Sequence, residues 1–411
     1  MPDTARKEKF MGKFDQFFLM NTDAVKEYTV EVLHYFEPDE ELSCTEIGDG
    51  NINYVSRVQS LKDGRSVIVK QADKLLRSSG RPLDLYRNKI EAQILELQGQ
   101  LAPEYVPQVF RYDETMAAIS MEDISAYGNL RKELAAGHVY GHLAENLSTF
   151  MVETLLATTD LVMERNEKKR RVQFYTNPEL CNITEDLVLT EPYDNFKNRN
   201  IITSGNEAYV EQNLYQNEAL KGEVAKLRYQ FMNHAQSLLH GDLHSGSVFA
   251  NEQGLKVIDP EFAFYGPMGY DIGNVVGNLY FSWANKVFAH TEDASAQAVA
   301  DTIVSVFDLT FSKMAKRYDE LVTFPLYRTE GFKKAFLDSV MADTLGYAGT
   351  EIIRRTVGDS KVMEITSVDN LEQRIPMERA LIQMGIHLIM HRNEIRQGKE
   401  LAEFFQKLIA C

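Results

Sequence analysis

Hydrophobic and polar positions follow two different patterns along this chain. In the first third, short apolar runs such as residues 66–70 and 119–124 are bounded by turn-forming residues, the pattern of buried strands. From His138 onward, apolar residues recur every three or four positions, which is typical of amphipathic helices. These patterns predict an α+β protein with a small antiparallel sheet in its N-terminal part and a larger, mainly helical C-terminal part.

Helical spacing also occurs beside the predicted sheet. Thr22 is predicted to cap a helix that carries Val25 and Tyr28 on one face and that Pro38 stops. A second predicted helix covers residues 87–97. We expect the first helix to support the sheet and to carry no part of a site.

The acidic residues that could form a catalytic site are concentrated in residues 240–261. Two short apolar runs separated by a glycine-containing turn predict a β-hairpin between residues 248 and 258. Asp242 precedes this hairpin, and Asp259 and Glu261 follow it. We therefore expect the three carboxylates to lie close together, and clustered acids without cysteine favour a hard cation such as magnesium.

The order of these residues is that of a kinase active site. Kinases place an aspartate in the catalytic loop, a metal ligand a few positions later, and a metal-binding aspartate after the next strand. Asp242 is the predicted catalytic base, while Ser247, Asp259 and Glu261 are the predicted magnesium ligands, with Ser247 where asparagine is usual. Acids that only make a polar loop soluble are the alternative, which this ordered set disfavours.

A glycine-containing turn between two predicted strands, at residues 46–58, precedes this region. Kinases use such a turn to lay backbone N–H groups over nucleotide phosphates. A plain hairpin turn is the alternative, since the third glycine of the usual kinase loop is replaced here by asparagine. The candidate nucleotide-binding residues in this turn are Gly48, Asp49, Gly50, Asn51 and Asn53.

Two further predicted nucleotide contacts follow this turn. Lys70 ends the next apolar strand, where kinases place a phosphate-binding lysine, and Glu91 on the following helix is expected to pair with it. A solvated strand-edge lysine and a surface glutamate are the alternatives.

The strand at residues 119–124 is expected to connect two lobes, residues 1–122 and 123–411, and to contact adenine through its backbone. The candidates for that contact are Met121, Glu122 and Ile124.

Arg354 and Arg355 stand side by side in a segment of apolar and small residues. Planar guanidinium groups suit an anionic or polyhydroxyl ligand, so both arginines are candidate substrate-binding residues together with Asp242. A surface pair bonded to helix carbonyls or acids is the alternative. His240 and His244 flank Asp242, and either bracing of the loop or contact with substrate fits their positions.

Composition narrows the classes of function. The 411 residues are 44% hydrophobic and 25% charged, as in a globular protein with a sizeable core. A formal net charge of −16 disfavours nucleic acid, and the basic run at residues 168–171 is predicted to be a solvated helix end. Three scattered cysteines favour a reducing compartment, hence the cytoplasm, and neither a signal peptide nor a membrane-spanning stretch is predicted.

Taken together, these strings resemble the methylthioribose kinase family, of the aminoglycoside-phosphotransferase, protein-kinase-like group. The resemblance extends over most of the chain, and Asp259-Pro260-Glu261 stands in place of the protein-kinase Asp-Phe-Gly, as in that family. It is most specific in four segments: 180–187, 240–247, 261–273 and 353–355.

The resemblance implies a bilobal protein-kinase-like fold, a homodimer, and transfer of the ATP γ-phosphate, with Mg²⁺, to the 1-hydroxyl of S-methyl-5-thioribose. It assigns the base to Asp242, magnesium to Asp259 and Glu261, and the sugar and transferred phosphoryl group to Arg354 and Arg355.

One departure keeps alternatives open. Between Lys70 and Glu91 the family has a Glu-Ser-Trp-Pro loop. The corresponding loop here, residues 79–82 with Arg81, is shorter and lacks the tryptophan. A kinase for another small alcohol, such as an aminoglycoside, choline or a different sugar, is therefore the first alternative. A catalytically inactive nucleotide-binding module is the second, and the retained Asp242 argues against it.

Overall fold

The computed structural model describes residues 12–47, 53–75, 84–289 and 294–410. The chain divides into two compact units. Unit 1 comprises Met1–Glu96 and Pro107–Ile124, and unit 2 comprises Leu97–Val106 and Ser125–Cys411. Unit 1 ends at Ile124, two residues after the predicted lobe boundary at residue 122, and the division into two lobes stays a prediction.

Unit 1 is built on an antiparallel sheet. Its described strands have the order β1-β2-β3-β5-β4, and in β3 Lys70 is paired with Val55 on one side and Ile119 on the other. The strands are β1 Leu42–Glu46, β2 Asn53–Ser60, β3 Ser66–Ala72, β4 Val109–Asp113 and β5 Ala118–Glu122. The helices that begin in this unit are α1 Thr22–Glu31 and α2 Tyr86–Leu101.

Helix α1 covers one face of this sheet, as the apolar spacing predicted. Val25 and Tyr28 are buried in one cluster with Val58 and other apolar strand residues. The predicted cap was wrong by one position, because the Asn21 side chain accepts the hydrogen bond from the N–H of Ala24. The helix also ends well before the predicted stop, at Glu31.

Unit 2 is mainly helical, as predicted. Its described helices are α3 Leu130–Ala135, α4 Leu143–Leu156, α5 Arg165–Phe174, α6 Pro178–Leu187, α7 Glu191–Asp194, α8 Glu207–Val210, α9 Glu218–Asn233, α10 Gly269–Ala289, α11 Ser295–Leu321, α12 Glu330–Val357, α13 Met363–Thr366, α14 Leu371–Met390 and α15 Gly398–Ile409. Within the described ranges, none of the helices combines the length and the apolar character that crossing a bilayer requires.

Short strands of unit 2 flank residues 239–247, the segment that carries the predicted base Asp242 and is here called the catalytic loop. The described short strands of this unit are β6 Gly128–Asn129, β7 Ser237–Leu238, β8 Val248–Asn251, β9 Gly254–Val257 and β10 Tyr265–Gly266. Strands β8 and β9 form the predicted hairpin, with Val248 opposite Val257. Strand β7 precedes the hairpin and β10 follows it. These two strands pair, so the segments before and after the hairpin lie side by side.

Glycines let helices α10 and α12 approach closely. Gly269, Gly273 and Gly277 recur every four residues on α10 and therefore share one face. A Cβ atom at Gly269 would lie 2.6 Å from the backbone nitrogen of Thr344 on α12. The second half of α12 is buried almost continuously. The side chains of Arg354 and Arg355, near the end of α12, are consequently only 10% and 12% exposed.

The basic run at residues 168–171 was predicted to be a solvated helix end; Lys169 and Arg170 are exposed in α5 as predicted, but Lys168 is not. Lys168 lies within α5 and is only 1% exposed. Its Nζ donates to Asp160 Oδ2 and to the carbonyl oxygens of Ala235 and Gln236. This lysine is therefore a buried tie to the segment that leads into β7, because a buried ammonium group needs such hydrogen-bond acceptors.

Candidate active site

The catalytic loop runs between β7 and β8 and is held by Asp271. The backbone N–H groups of His240 and Gly241 donate to the two Asp271 carboxylate oxygens at 2.7 and 3.0 Å. Burial raises the pKa of Asp271 to about 7, although these two hydrogen bonds oppose the shift. Asp271 lies in the first turn of α10, and its carboxylate holds the loop from there.

Gly241 allows the loop to pass close to the chain that follows the hairpin. Its φ is +83°, in the left-handed region, and a Cβ atom there would lie 2.2 Å from the carbonyl oxygen of Phe262. Nearby, the N–H of Leu239 donates to the carbonyl of Phe264 at 2.9 Å. No residue other than glycine fits beside Asp242 at this position.

His240 ties the loop to the end of the hairpin. Its Nε2 lies 2.8 Å from the carbonyl oxygen of Ile258, and its Nδ1 accepts from the N–H of Asp242 at 3.3 Å. The ring is therefore neutral with its proton on Nε2, and burial lowers its pKa to about 4. Ile258 in turn donates to the carbonyl of Ser247 at 2.9 Å. Asp259 is thus held next to the catalytic loop, and His240 braces the loop.

Asp242 lies among three cationic or potentially cationic side chains. Its Oδ2 is 3.4 Å from His244 Nε2, while its Oδ1 is 3.8 Å from Arg354 Nη2 and 3.9 Å from Arg355 Nη2. Burial alone would raise the pKa of Asp242, but His244 and the two arginines outweigh it and lower the pKa well below its usual range. The carboxylate is therefore ionised and is a hydrogen-bond acceptor. Because 27% of the side chain is exposed, a ligand can reach it.

The orientation of His244 follows from its own turn. Its Nδ1 accepts from the backbone N–H groups of Gly246 at 2.9 Å and Ser247 at 3.2 Å. With Nδ1 an acceptor, the ring proton is on Nε2, the atom that faces Asp242. Of bracing the loop and contacting substrate, the two possibilities left open for His244, the structure supports bracing, and it also places this histidine beside Asp242.

Arg354 and Arg355 share one buried acid that sequence reasoning did not assign. Arg354 Nε donates to Glu351 Oε2 at 2.5 Å, and Arg355 Nε donates to Glu351 Oε1 at 3.1 Å. Glu351 is fully buried; burial would raise its pKa, but the two guanidinium groups keep it below its ordinary value. Of the alternative, a surface pair bonded to carbonyls or acids, the surface position is wrong, but the bond to an acid is present. The spacing of three and four residues on one helix is the signal that would have found Glu351.

The predicted magnesium ligands differ in their local settings. The Ser247 hydroxyl donates to the carbonyl of Asp242 at 3.1 Å. Asp259 has a left-handed backbone with φ +63°, and the carbonyl of Glu261 accepts from Asn177 Nδ2 at 2.8 Å. A left-handed backbone at a residue other than glycine, as at Asp259, is strained, and such strain occurs preferentially at functional sites.

The oxygen donors of these residues are chemically suited to magnesium. Across the described part of the chain, no three His, Cys, Asp or Glu side chains are grouped so as to hold a metal ion. Magnesium is commonly bound by one or two carboxylates together with phosphate oxygens and water, so Asp259 and Glu261 fit that donor set. The assignment stays a prediction.

In unit 1, the predicted ion pair is present. Lys70 Nζ lies 2.7 Å from Glu91 Oε1, and their side chains are 5% and 0% exposed. The alternatives of a solvated lysine and a surface glutamate are therefore wrong. The Asn53 side chain is buried and accepts from Arg87 Nη2 at 3.0 Å. Gly48, Asp49, Gly50 and Asn51 lie outside the described residues, and so does the 79–82 segment.

The predicted adenine-binding segment lies at the end of β5. Met121 is buried in the sheet, and Ile124 is partly buried at the end of unit 1. The N–H of Glu122 donates to the carbonyl of Gln108 at 2.8 Å. Since that N–H is already paired, an adenine contact from Glu122 requires its carbonyl.

Sequence reasoning also missed Arg131 and Asn278, which contact the catalytic loop. Arg131 Nη2 donates to Asn278 Oδ1 at 3.1 Å, and the hydroxyl of Ser245 donates to the same oxygen at 3.3 Å. Arg131 and Asn278 are 147 positions apart, and no local pattern connects them.

Comparison with known proteins shows extensive similarity. The family model described as the phosphotransferase enzyme family matches residues 43–302. A methylthioribose kinase of Geobacillus sp. (strain WCH70) is 36% identical over 370 residues, covering 90% of this chain and 91% of that protein. A methylthioribose kinase of Yersinia pseudotuberculosis serotype O:1b is 38% identical over 376 residues, covering 90% and 91%.

Solved structures align more distantly with this chain. An ethanolamine kinase of Plasmodium vivax aligns with a TM-score of 0.44 at 12% identity, covering 97% of this chain and 91% of that one. A choline kinase of Cryptosporidium parvum aligns with a TM-score of 0.47 at 13% identity, covering 89% and 98%.

Proposed function

Because the chain belongs to the phosphotransferase enzyme family and, within it, to the methylthioribose kinases, we propose that it phosphorylates S-methyl-5-thio-D-ribose in methionine salvage. The γ-phosphate of ATP is transferred to the 1-hydroxyl of the sugar, and the products are S-methyl-5-thio-D-ribose 1-phosphate and ADP.

The observation that carries this proposal is the placement of Asp242 beside Arg354 and Arg355. An ionised, partly exposed carboxylate accepts a hydrogen bond from a sugar hydroxyl, and two guanidinium groups within 4 Å of it suit an anionic phosphoryl group. An acceptor and a pair of cations at one place are what phosphoryl transfer to an alcohol requires.

In the proposed reaction, Asp242 orients the hydroxyl for attack on the γ-phosphorus. The new bond forms between the 1-oxygen and phosphorus, the bond from phosphorus to the ADP oxygen breaks, and the hydroxyl proton leaves toward the carboxylate. Because the pKa of Asp242 is low, the carboxylate acts mainly by orientation and accepts the proton late. Arg354 and Arg355 stabilise the charge on the transferring group.

Asp259 and Glu261, with Ser247 as a further oxygen donor, are the residues we assign to magnesium. The ion, when bound, would neutralise charge on the phosphate oxygens. The left-handed backbone of Asp259 and the Asn177 bond to the Glu261 carbonyl support a fixed geometry for this segment.

Nucleotide binding is assigned to unit 1. A lysine buried with a glutamate keeps its charge in a fixed position, so Lys70 is the proposed phosphate ligand and Glu91 its partner. Asn53 and the residues of the glycine-containing turn, Gly48, Asp49, Gly50 and Asn51, complete the proposed phosphate contacts. Adenine is assigned to the backbone of Met121, Glu122 and Ile124.

Two wider properties belong to the same proposal. We infer a homodimer from the resemblance to the family, and a cytoplasmic location from the scattered cysteines. The net charge of −16 supports a small-molecule substrate over nucleic acid.

The test is magnesium-dependent ADP release from ATP with methylthioribose, beside ribose, choline and an aminoglycoside. Selective turnover of methylthioribose is expected, which would also show that the sequence at residues 79–82 tolerates this sugar. Turnover of another acceptor would keep the kinase and reject the substrate. ATP binding without ADP release on any acceptor would identify an inactive module.

A further inference from the structure

Arg131 is a third arginine beside the catalytic loop. It belongs to α3, and its side chain is 18% exposed. Its Nε donates to the hydroxyl of Ser245 at 3.2 Å and lies 3.7 Å from Glu364 Oε1, while its Nη2 donates to Asn278 Oδ1. The guanidinium group of Arg131 thus links the turn that follows Asp242 to the middle of α10.

These contacts decide which way the Asn278 amide points. Arg131 and Ser245 both donate to Oδ1, so the amide nitrogen must face the opposite side. There it donates to Glu351 Oε1 at 3.1 Å and to the carbonyl of Asn274 at 3.0 Å. A flipped amide would bring two donors face to face at Arg131 and two acceptors face to face at Glu351.

Glu351 transmits this orientation to the arginine pair. Its Oε1 accepts from both Asn278 and Arg355, and its Oε2 accepts from Arg354. With both Nε groups bound to one buried carboxylate, the Nη2 groups are left near the catalytic carboxylate. The shared acid also keeps two like charges together, which would otherwise repel.

We propose that Arg131 is a positioning residue for phosphoryl transfer. Through Asn278 and Glu351 it sets how Arg354 and Arg355 are aligned against Asp242, without contacting the substrate itself. This inference rests on the proposed function, because it takes the arginine pair to be part of the reacting site. It predicts that Arg131 affects kcat far more than the KM for ATP.

The first experiment compares Arg131→Gln and Arg131→Lys with Arg317→Lys. Arg317 is a matched control, since its guanidinium also bonds two acids, Glu153 and Glu320, at the surface of α11. We expect both Arg131 variants to lose kcat by up to about 100-fold, the effect of a small misplacement of reacting groups. Lysine keeps the charge but cannot make the forked contacts, so it should rescue little. Arg317→Lys should retain wild-type kcat.

The second experiment tests the route of the effect. Losses at independent sites multiply, so we compare Arg131→Gln, Arg355→Lys and the double variant. If Arg131 acts through the arginine pair, the double variant should lose much less kcat than the product of the single losses. A multiplicative loss, or a lowered Tm with kcat unchanged, would overturn the proposal.

The third readout does not depend on turnover. The Nε–H protons of Arg354 and Arg355 donate to a buried acid and should exchange slowly with water in the wild-type protein, as measured by NMR. Arg131→Gln should accelerate this exchange, and unchanged exchange would overturn the proposal.

If the wild-type enzyme uses another alcohol, the substrate assignment fails, and kcat of these variants is measured with that alcohol. If no acceptor is turned over, the exchange measurement alone decides.

Discussion

A Cβ atom at Gly273 of α10 would lie 2.6 Å from the carbonyl oxygen of Thr344 on α12. The two helices are therefore in backbone contact at this point, a closeness that any side chain would prevent. Since α12 carries Arg354 and Arg355, the spacing between the helices sets where the arginine pair lies relative to the catalytic loop.

Replacing Gly273 by alanine should separate α10 from α12. Overpacking of this kind costs about 1–3 kcal/mol of stability, and the shifted arginine pair should also lower kcat. The free energy of unfolding in urea and the rate of ADP release measure the two effects. Gly222→Ala on α9 is the matched control, because nothing lies within 4 Å of a Cβ there. A Gly273→Ala protein as stable as the control would contradict the close packing.

Asp242→Asn should retain ATP binding and lose turnover. The amide no longer attracts the hydroxyl proton, and removal of a general base typically costs about 10²–10⁴-fold in rate. ATP binding is measured by calorimetry, and turnover by ADP release with methylthioribose. An Asn variant with near-wild-type turnover would reject the assignment of the base.

Lys70→Met should weaken nucleotide binding. A hydrogen bond to a charged group contributes about 1.5–3 kcal/mol, so the KM for ATP should rise by roughly ten- to a hundredfold. The KM for the sugar should change much less. Lys89→Met, which removes an exposed ion pair with Glu114, is the control. Unchanged ATP affinity in Lys70→Met would show that the buried pair with Glu91 is purely structural.

Asp259→Ala should weaken the magnesium dependence of nucleotide binding. Loss of one carboxylate ligand lowers affinity for a hard cation, so a higher magnesium concentration should be needed for half-maximal ATP binding. Magnesium titration in a nucleotide-binding assay measures this shift, with Asp301→Ala on the exposed side of α11 as control. An unchanged titration would count against a metal role for Asp259.

Asp271→Asn should loosen the catalytic loop. An amide nitrogen would replace one of the oxygens that accept from His240 and Gly241, leaving two donors facing each other. An unsatisfied buried donor costs about 1–3 kcal/mol. Turnover should fall together with the free energy of unfolding, and a variant with wild-type values of both would contradict the bracing role.

The same variant tests the titration of Asp271. Burial raises the pKa of this carboxyl to about 7 in the folded protein, whereas an unfolded aspartate titrates at about 3.9. Between these values the folded protein holds a proton that the unfolded chain has released, so this group makes stability fall as the pH rises from about 4 to 7. The stability advantage of wild type over Asp271→Asn should therefore shrink across that window and stay constant above it. Urea unfolding at several pH values measures the difference, and a difference independent of pH would refute the raised pKa.

Local pattern in the sequence was enough to predict strands β2, β3 and β5 of unit 1, the β8–β9 hairpin and the Lys70–Glu91 pair. Each depends on neighbours along the chain or on the order of short elements, and alternation, turn residues and helix spacing record that information directly. The hairpin also led us to expect Asp242 and Asp259 to lie close together, and that expectation stays a prediction.

Only the tertiary structure decided the contacts that join distant segments. Arg131 meets Ser245 across 114 positions, and Lys168 is buried against residues 67 and 68 positions away. Pairing of this kind depends on how helices pack, and packing at α10 and α12 depends on backbone approach that a one-dimensional pattern does not encode. The sequence therefore determined which groups are candidates for the chemistry, and the folded helices determined which of them are brought together.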